Sequence, residues 1–126
     1  MSDEAARILV VEDDEILRDT LVEVMRDEGH EVRSAANGQA ALDALDGWVP
    51  GVIILDLMMP LMDAYEFRLR QRAEGLAGDA RVLVLSAARD LERAAGYIDA
   101  DAWLAKPFRL LDVIEAVDRL VDEPAA

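Results

Sequence analysis

Four short apolar runs, separated by segments of helical periodicity, constrain the fold of this chain more than any other feature. Each run is four residues long and lacks the polar–apolar alternation of a strand with one exposed face. Continuous runs of this length are typical of strands buried on both faces of a parallel sheet. The four runs cover residues 8–11, 52–55, 82–85 and 102–105. A fifth, weaker strand near a sheet edge is expected at residues 31–35.

The segments between the strands carry apolar residues at helical spacing, with start and stop signals. Asp13 or Asp14 is available as the N-cap of the first helix, and Gly29 as its stop. The third predicted helix has a poor apolar stripe, formed by Phe67 and Leu69. We predict five helices, which begin after Asp13 or Asp14, at Asn37-Gly38, at about residue 63, at Asp90 and near Leu110.

Alternation of five strands with five helices predicts an α/β fold. We expect one doubly wound, five-stranded parallel sheet with helices on both faces and right-handed crossovers. The flavodoxin-like strand order 2-1-3-4-5 is the natural solution for five strands, and it places the first and third strands side by side. At 126 residues the chain is expected to form one domain over residues 1–122, followed by a frayed tail at 123–126.

Composition excludes several classes of function. Thirteen Lys and Arg against 27 Asp and Glu give a net charge of −14, which disfavours binding to nucleic acid or to an anionic membrane by the domain itself. The chain has no Cys, which fits a reducing compartment. Because it shows neither a signal peptide nor an apolar run approaching the ~20 residues of a membrane span, we predict a cytoplasmic protein.

Polar side chains with chemical potential follow the apolar strands. Glu12 and Asp13 follow the first strand, Asp56 follows the third, Ser86 the fourth and Lys106 the fifth. In doubly wound sheets the ligand binds outside the carboxyl ends of the strands, so these groups are expected to gather at one edge. Taken one at a time, these residues also have structural explanations, since an acid can cap a helix and a Ser commonly ends a strand. Together the acids would repel one another, and a divalent cation such as Mg²⁺ would relieve the repulsion.

No cluster of His and Cys favours zinc. The only histidine, His30, lies in a predicted helix–strand turn, where we expect a solvated side chain rather than a ligand. Pro107 directly follows Lys106 and restricts where the amine can point. The residues alone therefore predict an acidic cation site with a nucleophile and an ammonium group.

Four short motifs follow one another along the chain: ILVVEDD at residues 8–14, LDLMMP at 55–60, LSA at 85–87 and KPF at 106–108. Their order and spacing resemble those of the receiver domain of two-component response regulators. Each motif alone is weak, but four in register, spread over nearly the whole chain, are highly specific.

The resemblance implies a phosphoacceptor and a metal site. Asp56 would attack a phosphohistidine on a sensor histidine kinase or a histidine phosphotransfer protein. Asp13 and Asp56 would bind Mg²⁺ directly, Glu12 would bind it mainly through water, and the backbone carbonyl of Met58 would be a further ligand. The domain would then be a regulator that signals to a downstream protein effector, not an enzyme acting on other substrates.

The resemblance also implies residues that respond to the phosphoryl group. Ser86 and Lys106 would hold the aspartyl phosphate, with the Lys106–Pro107 bond in the cis form, and Ser86 and Trp103 would act as the switch pair. Two departures from the family pattern concern loop geometry, since Ala64 and Asp99 stand where the family has Gly. Trp103 is larger than the usual Tyr or Phe.

Other functions of the same fold class fit less well. A phosphatase of the haloacid dehalogenase type needs a second Asp where this chain has Met58, and a flavin phosphate would be repelled by the acids at 12–14. We expect a stand-alone response regulator. The alternatives are the N-terminal receiver of a larger regulator or hybrid kinase, and a receiver-like interaction module that is never phosphorylated.

Overall fold

The computed structural model describes residues 5–57, 64–87 and 98–122. Within these ranges it contains five strands and four helices. In chain order they are β1 (Arg7–Val11), α1 (Glu15–Asp27), β2 (Glu31–Ala35), α2 (Gly38–Ala44), β3 (Val52–Asp56), α3 (Ala64–Ala73), β4 (Arg81–Ser86), β5 (Ala102–Ala105) and α4 (Leu110–Asp122).

The five strands form one parallel sheet in the order β2-β1-β3-β4-β5, which confirms the predicted flavodoxin-like topology. In the register, Val11 lies beside Leu55, and Ser86 lies beside Ala105. The carboxyl ends of β1, β3, β4 and β5 therefore meet at one edge of the sheet. β3 and β4 each extend one residue past the predicted apolar run, so Asp56 and Ser86 are the last residues of their strands.

Apolar layers cover both faces of the sheet. Along β1, Leu9 and Val11 pack with α2 and α3, whereas Ile8 and Val10 pack with α1 and α4. All four side chains are fully buried, and full burial of such a side chain contributes about 1.5–3 kcal/mol. The central strands β1, β3 and β4 are buried on both faces, as their continuous apolar runs predicted. The prediction is wrong for the run at residues 102–105, because β5 lies at the edge of the sheet and its residues are half-buried or exposed.

The predicted starts of α1 and α2 coincide with N-cap residues in the structure. Asp14 is the N-cap of α1, and its Oδ1 accepts a hydrogen bond of 3.1 Å from the Leu17 N–H. Asn37 caps α2 in the same way, accepting from the Ala40 N–H at 2.8 Å. Past the end of α1, Gly29 has a φ of +94°, a left-handed conformation that Gly adopts without steric cost.

The predicted apolar stripe of α3 is half wrong. Phe67 is buried, but Leu69 is 70% exposed, and the remaining buried positions include two long polar side chains, Arg68 and Gln71. Arg68 is tolerated there because its Nε donates to the Ile98 carbonyl at 2.9 Å and its Nη1 to the Gln71 side chain at 2.6 Å. Burial of a hydrogen-bonded guanidinium, rather than a second apolar residue, completes this face of the helix.

Asp99, which replaces a family Gly, adopts a φ of +56°. This is the left-handed conformation for which Gly is favoured and Asp is one of the tolerated substitutes. Its carboxylate pairs with Arg72 of α3, and its carbonyl accepts from Arg68. The other departure, Ala64, begins α3 and is fully buried.

Several predictions fall outside the described residues. They are the helix that begins at Asp90, the loop at 58–60 with the carbonyl of Met58, and the tail at 123–126. Among the helices that the structure does describe, none has the length and apolar character needed to cross a bilayer.

Candidate functional site

Three carboxylates converge at the carboxyl edge of the sheet. Glu12 and Asp13 follow β1, and Asp56 ends β3, the strand that pairs directly with β1. One oxygen from each side chain lies within 4.8 Å of the others. The strand order thus brings together acids that are more than forty positions apart in the sequence, as predicted.

The carboxylates differ in burial. Asp13 is exposed, whereas Glu12 is 1% exposed and Asp56 is 3% exposed. Burial, together with the hydrogen bond and the charge of Asp56, raises the pKa of Glu12 from 4.5 to about 8. Glu12 therefore tends to hold a proton near neutral pH, and a bound cation would favour its release.

This raised pKa predicts how the stability of the metal-free protein depends on pH. Between pH 4.5 and about 8 the folded state holds a proton on Glu12 that the unfolded state has released, so the free energy of unfolding falls as pH rises. We expect a contribution of up to about 1 kcal/mol per pH unit. Denaturant unfolding in EDTA at several pH values measures it.

The matched variant for this prediction is Glu12→Gln, which resembles the protonated acid at every pH. We expect the variant to equal or exceed the stability of the native sequence at pH 8 and above, and to lose the decline described above. Identical pH profiles for the two proteins would contradict the assignment of this proton to Glu12.

Lys106 supplies a positive charge to the two buried acids. Its Nζ lies 3.2 Å from Oδ2 of Asp56 and 3.3 Å from Oε1 of Glu12. Burial by itself lowers the pKa of Lys106, but the charges of Asp56 and Glu12 outweigh this effect and raise the pKa above its ordinary value. The ammonium group therefore remains protonated in the site.

The backbone around Lys106 is fixed at both sides. Its N–H donates to the carbonyl of Ser86 at 3.0 Å, which ties the end of β5 to the end of β4. The Lys106–Pro107 peptide bond is cis, as predicted. Ser86 is fully buried as the last residue of β4 and follows Leu85, which pairs in register with Asp56. The hydroxyl-bearing residue thus lies next to the carboxylate-bearing strand end.

Trp103 lies in β5 beside Val84 and is 41% exposed. The structure therefore places the indole at the protein surface and not in the core. Its role as a switch remains a prediction.

The donor set of the acidic cluster fits Mg²⁺. The group consists of carboxylates only, and hard divalent cations such as Mg²⁺ prefer oxygen ligands. Burial and the neighbouring Asp56 raise the pKa of Glu12, so a bound cation would favour its ionised form. Glu12, Asp13 and Asp56 are the described residues that could hold the cation.

The expectation for His30 was wrong in one respect. The side chain is buried, not solvated, and its Nδ1 accepts a hydrogen bond of 3.0 Å from the Ala6 N–H just before β1. It is outside the acidic group of Glu12, Asp13 and Asp56. The residues around His30 did not indicate this burial, because the contact joins residues that are 24 positions apart in the sequence.

The contact of Arg18 with the site was not predicted from the sequence. This residue lies near the start of α1, and its Nη1 donates to the carbonyl of Glu12 at 3.0 Å, with the Asp13 carbonyl 3.5 Å away. A positive side chain at a helix N-terminus is unfavourable for the helix dipole. That mismatch is the one sequence signal that indicates a compensating contact for Arg18.

Comparison with known proteins identifies the family. The family model described as "Response regulator receiver domain" matches residues 8–118. The response regulator MprA of Mycolicibacterium vanbaalenii is 37% identical over 117 residues, which are 91% of this chain and 50% of that protein. The transcriptional regulatory protein PdtaR of Mycobacterium tuberculosis is 34% identical over 118 residues, 91% of this chain and 56% of that protein. The chain thus spans about half the length of these curated relatives.

Solved structures agree with this result. The chemotaxis protein CheY4 of Vibrio cholerae superposes with a TM-score of 0.84 at 28% identity, covering 93% of this chain and 99% of that one. The response regulator TrrA of Thermotoga maritima, determined in complex with Mg(2+)-BeF, has a TM-score of 0.78 at 31% identity, with 90% and 97% covered. With sequence and fold in agreement, this chain belongs to the receiver domains of two-component response regulators, which are regulatory phosphoacceptor domains rather than classical enzymes.

Proposed function

We propose that Asp56 accepts a phosphoryl group from a phosphohistidine on a sensor histidine kinase or a histidine phosphotransfer protein. The observation that carries the proposal is the environment of this carboxylate. It ends a central strand, is buried, has two further acids close by, and lies 3.2 Å from the ammonium group of Lys106. A carboxylate so placed is both a nucleophile and the centre of a cation site.

In the proposed transfer one bond to phosphorus forms and another breaks. A carboxylate oxygen of Asp56 forms a bond to phosphorus while the bond from phosphorus to the donor's imidazole nitrogen breaks, and the imidazole takes up a proton. Phosphorylation places about two negative charges where one stood. Lys106, which contacts Asp56 and Glu12 through Nζ, is positioned to hold a phosphoryl oxygen, and the hydroxyl of Ser86 is proposed to donate to another.

The proposed metal ligands are Asp13 and Asp56 directly, Glu12 mainly through water, and the carbonyl of Met58. When bound, Mg²⁺ neutralises part of the charge on the transferring group. The carboxylate-only donor set supports this choice, and the TrrA structure, described in complex with Mg(2+)-BeF, supports it by similarity.

Phosphorylation is proposed to change the binding of a downstream protein effector. In switches of this kind, a charge added at one place shifts the equilibrium between two conformations of the protein. Here the charge would be added at one edge of the sheet. The net charge of −14 disfavours nucleic acid as a direct partner of the domain itself. Localisation in the cytoplasm remains a prediction of the sequence.

A phosphorylation assay tests the proposed function. The protein is incubated with acetyl phosphate or phosphoramidate, with Mg²⁺ or with EDTA, and analysed by intact-mass spectrometry. We expect the mass gain of one phosphoryl group with Mg²⁺ and none with EDTA. A folded sample that gains no phosphoryl group from either donor would overturn the proposal and favour an interaction module that is never phosphorylated.

Trp103 is predicted to report activation. It is 41% exposed in the strand beside β4, so movement of Ser86 towards a phosphoryl group would change the surroundings of the indole. Beryllofluoride with Mg²⁺, which imitates the phosphorylated state, is expected to shift or quench its emission. Fluorescence of a Trp48→Phe variant measures this, because Trp103 is then the only indole.

Trp48 is a suitable residue to replace. It is buried, its Nε1 donates to Glu31 at 3.4 Å, and the guanidinium of Arg33 lies 4.7 Å from its ring centroid. Phe retains an aromatic face for that cation, although it loses the N–H and part of the ring volume. An unchanged spectrum in a variant shown to bind beryllofluoride would mean that Trp103 does not switch.

A further inference from the structure

The loop between β1 and α1 is held by a side chain from the helix that follows it. Nη1 of Arg18 donates to the carbonyl of Glu12 at 3.0 Å and lies 3.5 Å from the carbonyl of Asp13. These two oxygens belong to the peptide planes on either side of the Asp13 Cα atom. Because each plane is rigid, fixing both of them fixes the direction in which the Asp13 side chain leaves the backbone.

Other backbone contacts hold at most one of these two peptide planes. The Asp14 N–H donates to Oε2 of Glu12 at 3.3 Å, and the Asp14 side chain caps α1. The Glu12 N–H donates to the carbonyl of Ala35 at 3.0 Å. Asp13 is exposed, so packing does not hold its side chain. Within the described residues, the guanidinium of Arg18 is the group that bridges both of its peptide planes.

We propose that Arg18 is a positioning residue for the Mg²⁺ site. It holds the β1–α1 loop so that the carboxylate of Asp13 points towards Asp56 before the cation arrives. This inference rests on the proposed function, since it concerns the metal that the phosphoryl transfer uses. Preorganised ligands bind a cation more tightly, and partners that orient ligands typically affect metal affinity about 10–100-fold.

The sign of the effect separates positioning from simple electrostatics. Arg18 is a positive charge close to a cation site, so through charge alone its removal would strengthen Mg²⁺ binding. Through positioning, its removal weakens binding, because the loop that bears Asp13 is no longer held. The two explanations therefore predict opposite changes in the dissociation constant.

The experiment is a Mg²⁺ titration of the full chain, followed by the backbone amide shifts in two-dimensional NMR. We expect the dissociation constant to rise about tenfold in Arg18→Gln. Arg18→Lys retains the charge and part of the donor capacity, so a smaller rise is expected, which is a partial rescue that charge alone does not predict. The same spectra show whether each variant is folded.

The matched control is Arg26→Gln. Arg26 lies eight residues further along α1, at its last turn, and also donates to a backbone carbonyl, that of Val32, at 3.2 Å. The charge change is identical, but Arg26 lies about 12 Å further along the helix axis than Arg18. We expect an unchanged dissociation constant for this variant.

Two results would overturn the inference: an equal or tighter dissociation constant in Arg18→Gln, or an equal weakening in Arg26→Gln. A native chain that shows no saturable response to Mg²⁺ would instead overturn the proposed metal site, and with it this inference. Thermal unfolding in EDTA measures any loss of stability separately, so a general destabilisation cannot be mistaken for loss of metal affinity.

Discussion

Replacing Asp56 by Asn is expected to abolish phosphoryl incorporation from acetyl phosphate, with a loss of at least about a hundredfold. An amide is a far poorer nucleophile than a carboxylate, and no other described acid shares the position of Asp56 at the end of β3. Asn keeps the shape of the side chain and an oxygen that can accept from Lys106. The fold should therefore survive, and intact-mass spectrometry measures the incorporation.

The control for this variant is Asp14→Asn. Asp14 is a neighbouring exposed acid that caps α1, and Asn is an equally good N-cap, so the same chemical change is made without touching the proposed acceptor. We expect this variant to be phosphorylated. Label that persists in the Asp56 variant, or disappears in both, would contradict the assignment of Asp56 as the acceptor.

Replacing Asp13 by Ala is expected to weaken Mg²⁺ binding by at least about tenfold. Mg²⁺ gives up its bound water reluctantly and needs anionic ligands to do so. The described site offers three carboxylates, of which Asp13 is the exposed one, and Glu12 already tends to hold a proton because its pKa is raised to about 8. Removal of Asp13 leaves Asp56 with one weakly ionised neighbour.

The affinity is measured by titration of Mg²⁺ against backbone amide shifts. Asp19→Ala serves as the control, because Asp19 is an exposed acid of α1 and carries the same charge, but is not part of the acidic cluster. We expect its affinity to stay within about twofold of the native value, as screening by salt limits the effect of distant charges. Equal losses in both variants would show that net charge, not ligation, governs binding.

The fold was predictable because the strands carry their own signal. A strand that is apolar on both faces, such as residues 52–55, has few alternatives to the interior of a parallel sheet. The caps Asp14 and Asn37 were predictable for a similar reason, since their side chains bond within the next three residues. The helix predicted to begin at Asp90 is outside the described residues.

The candidate site was predictable where a residue type alone indicates the chemistry, as for Asp56 and Lys106. It was not predictable where a long side chain bonds to backbone atoms, because a carbonyl has no identity in the sequence. Arg18 is of this kind, since its partners are main-chain oxygens. Outside the site, Arg68 likewise donates to main-chain carbonyls, those of Ile98 and Asp99. His30 was misjudged for the same reason, its partner being a backbone N–H.

The contacts of Lys106 join widely separated parts of the chain. Its ammonium group reaches Glu12, 94 positions earlier, and Asp56, 50 positions earlier. During synthesis the two acids are therefore made well before this counter-ion. The carboxylate proposed as the acceptor is present first, and the amine that balances its charge reaches it only after β5 has paired with β4.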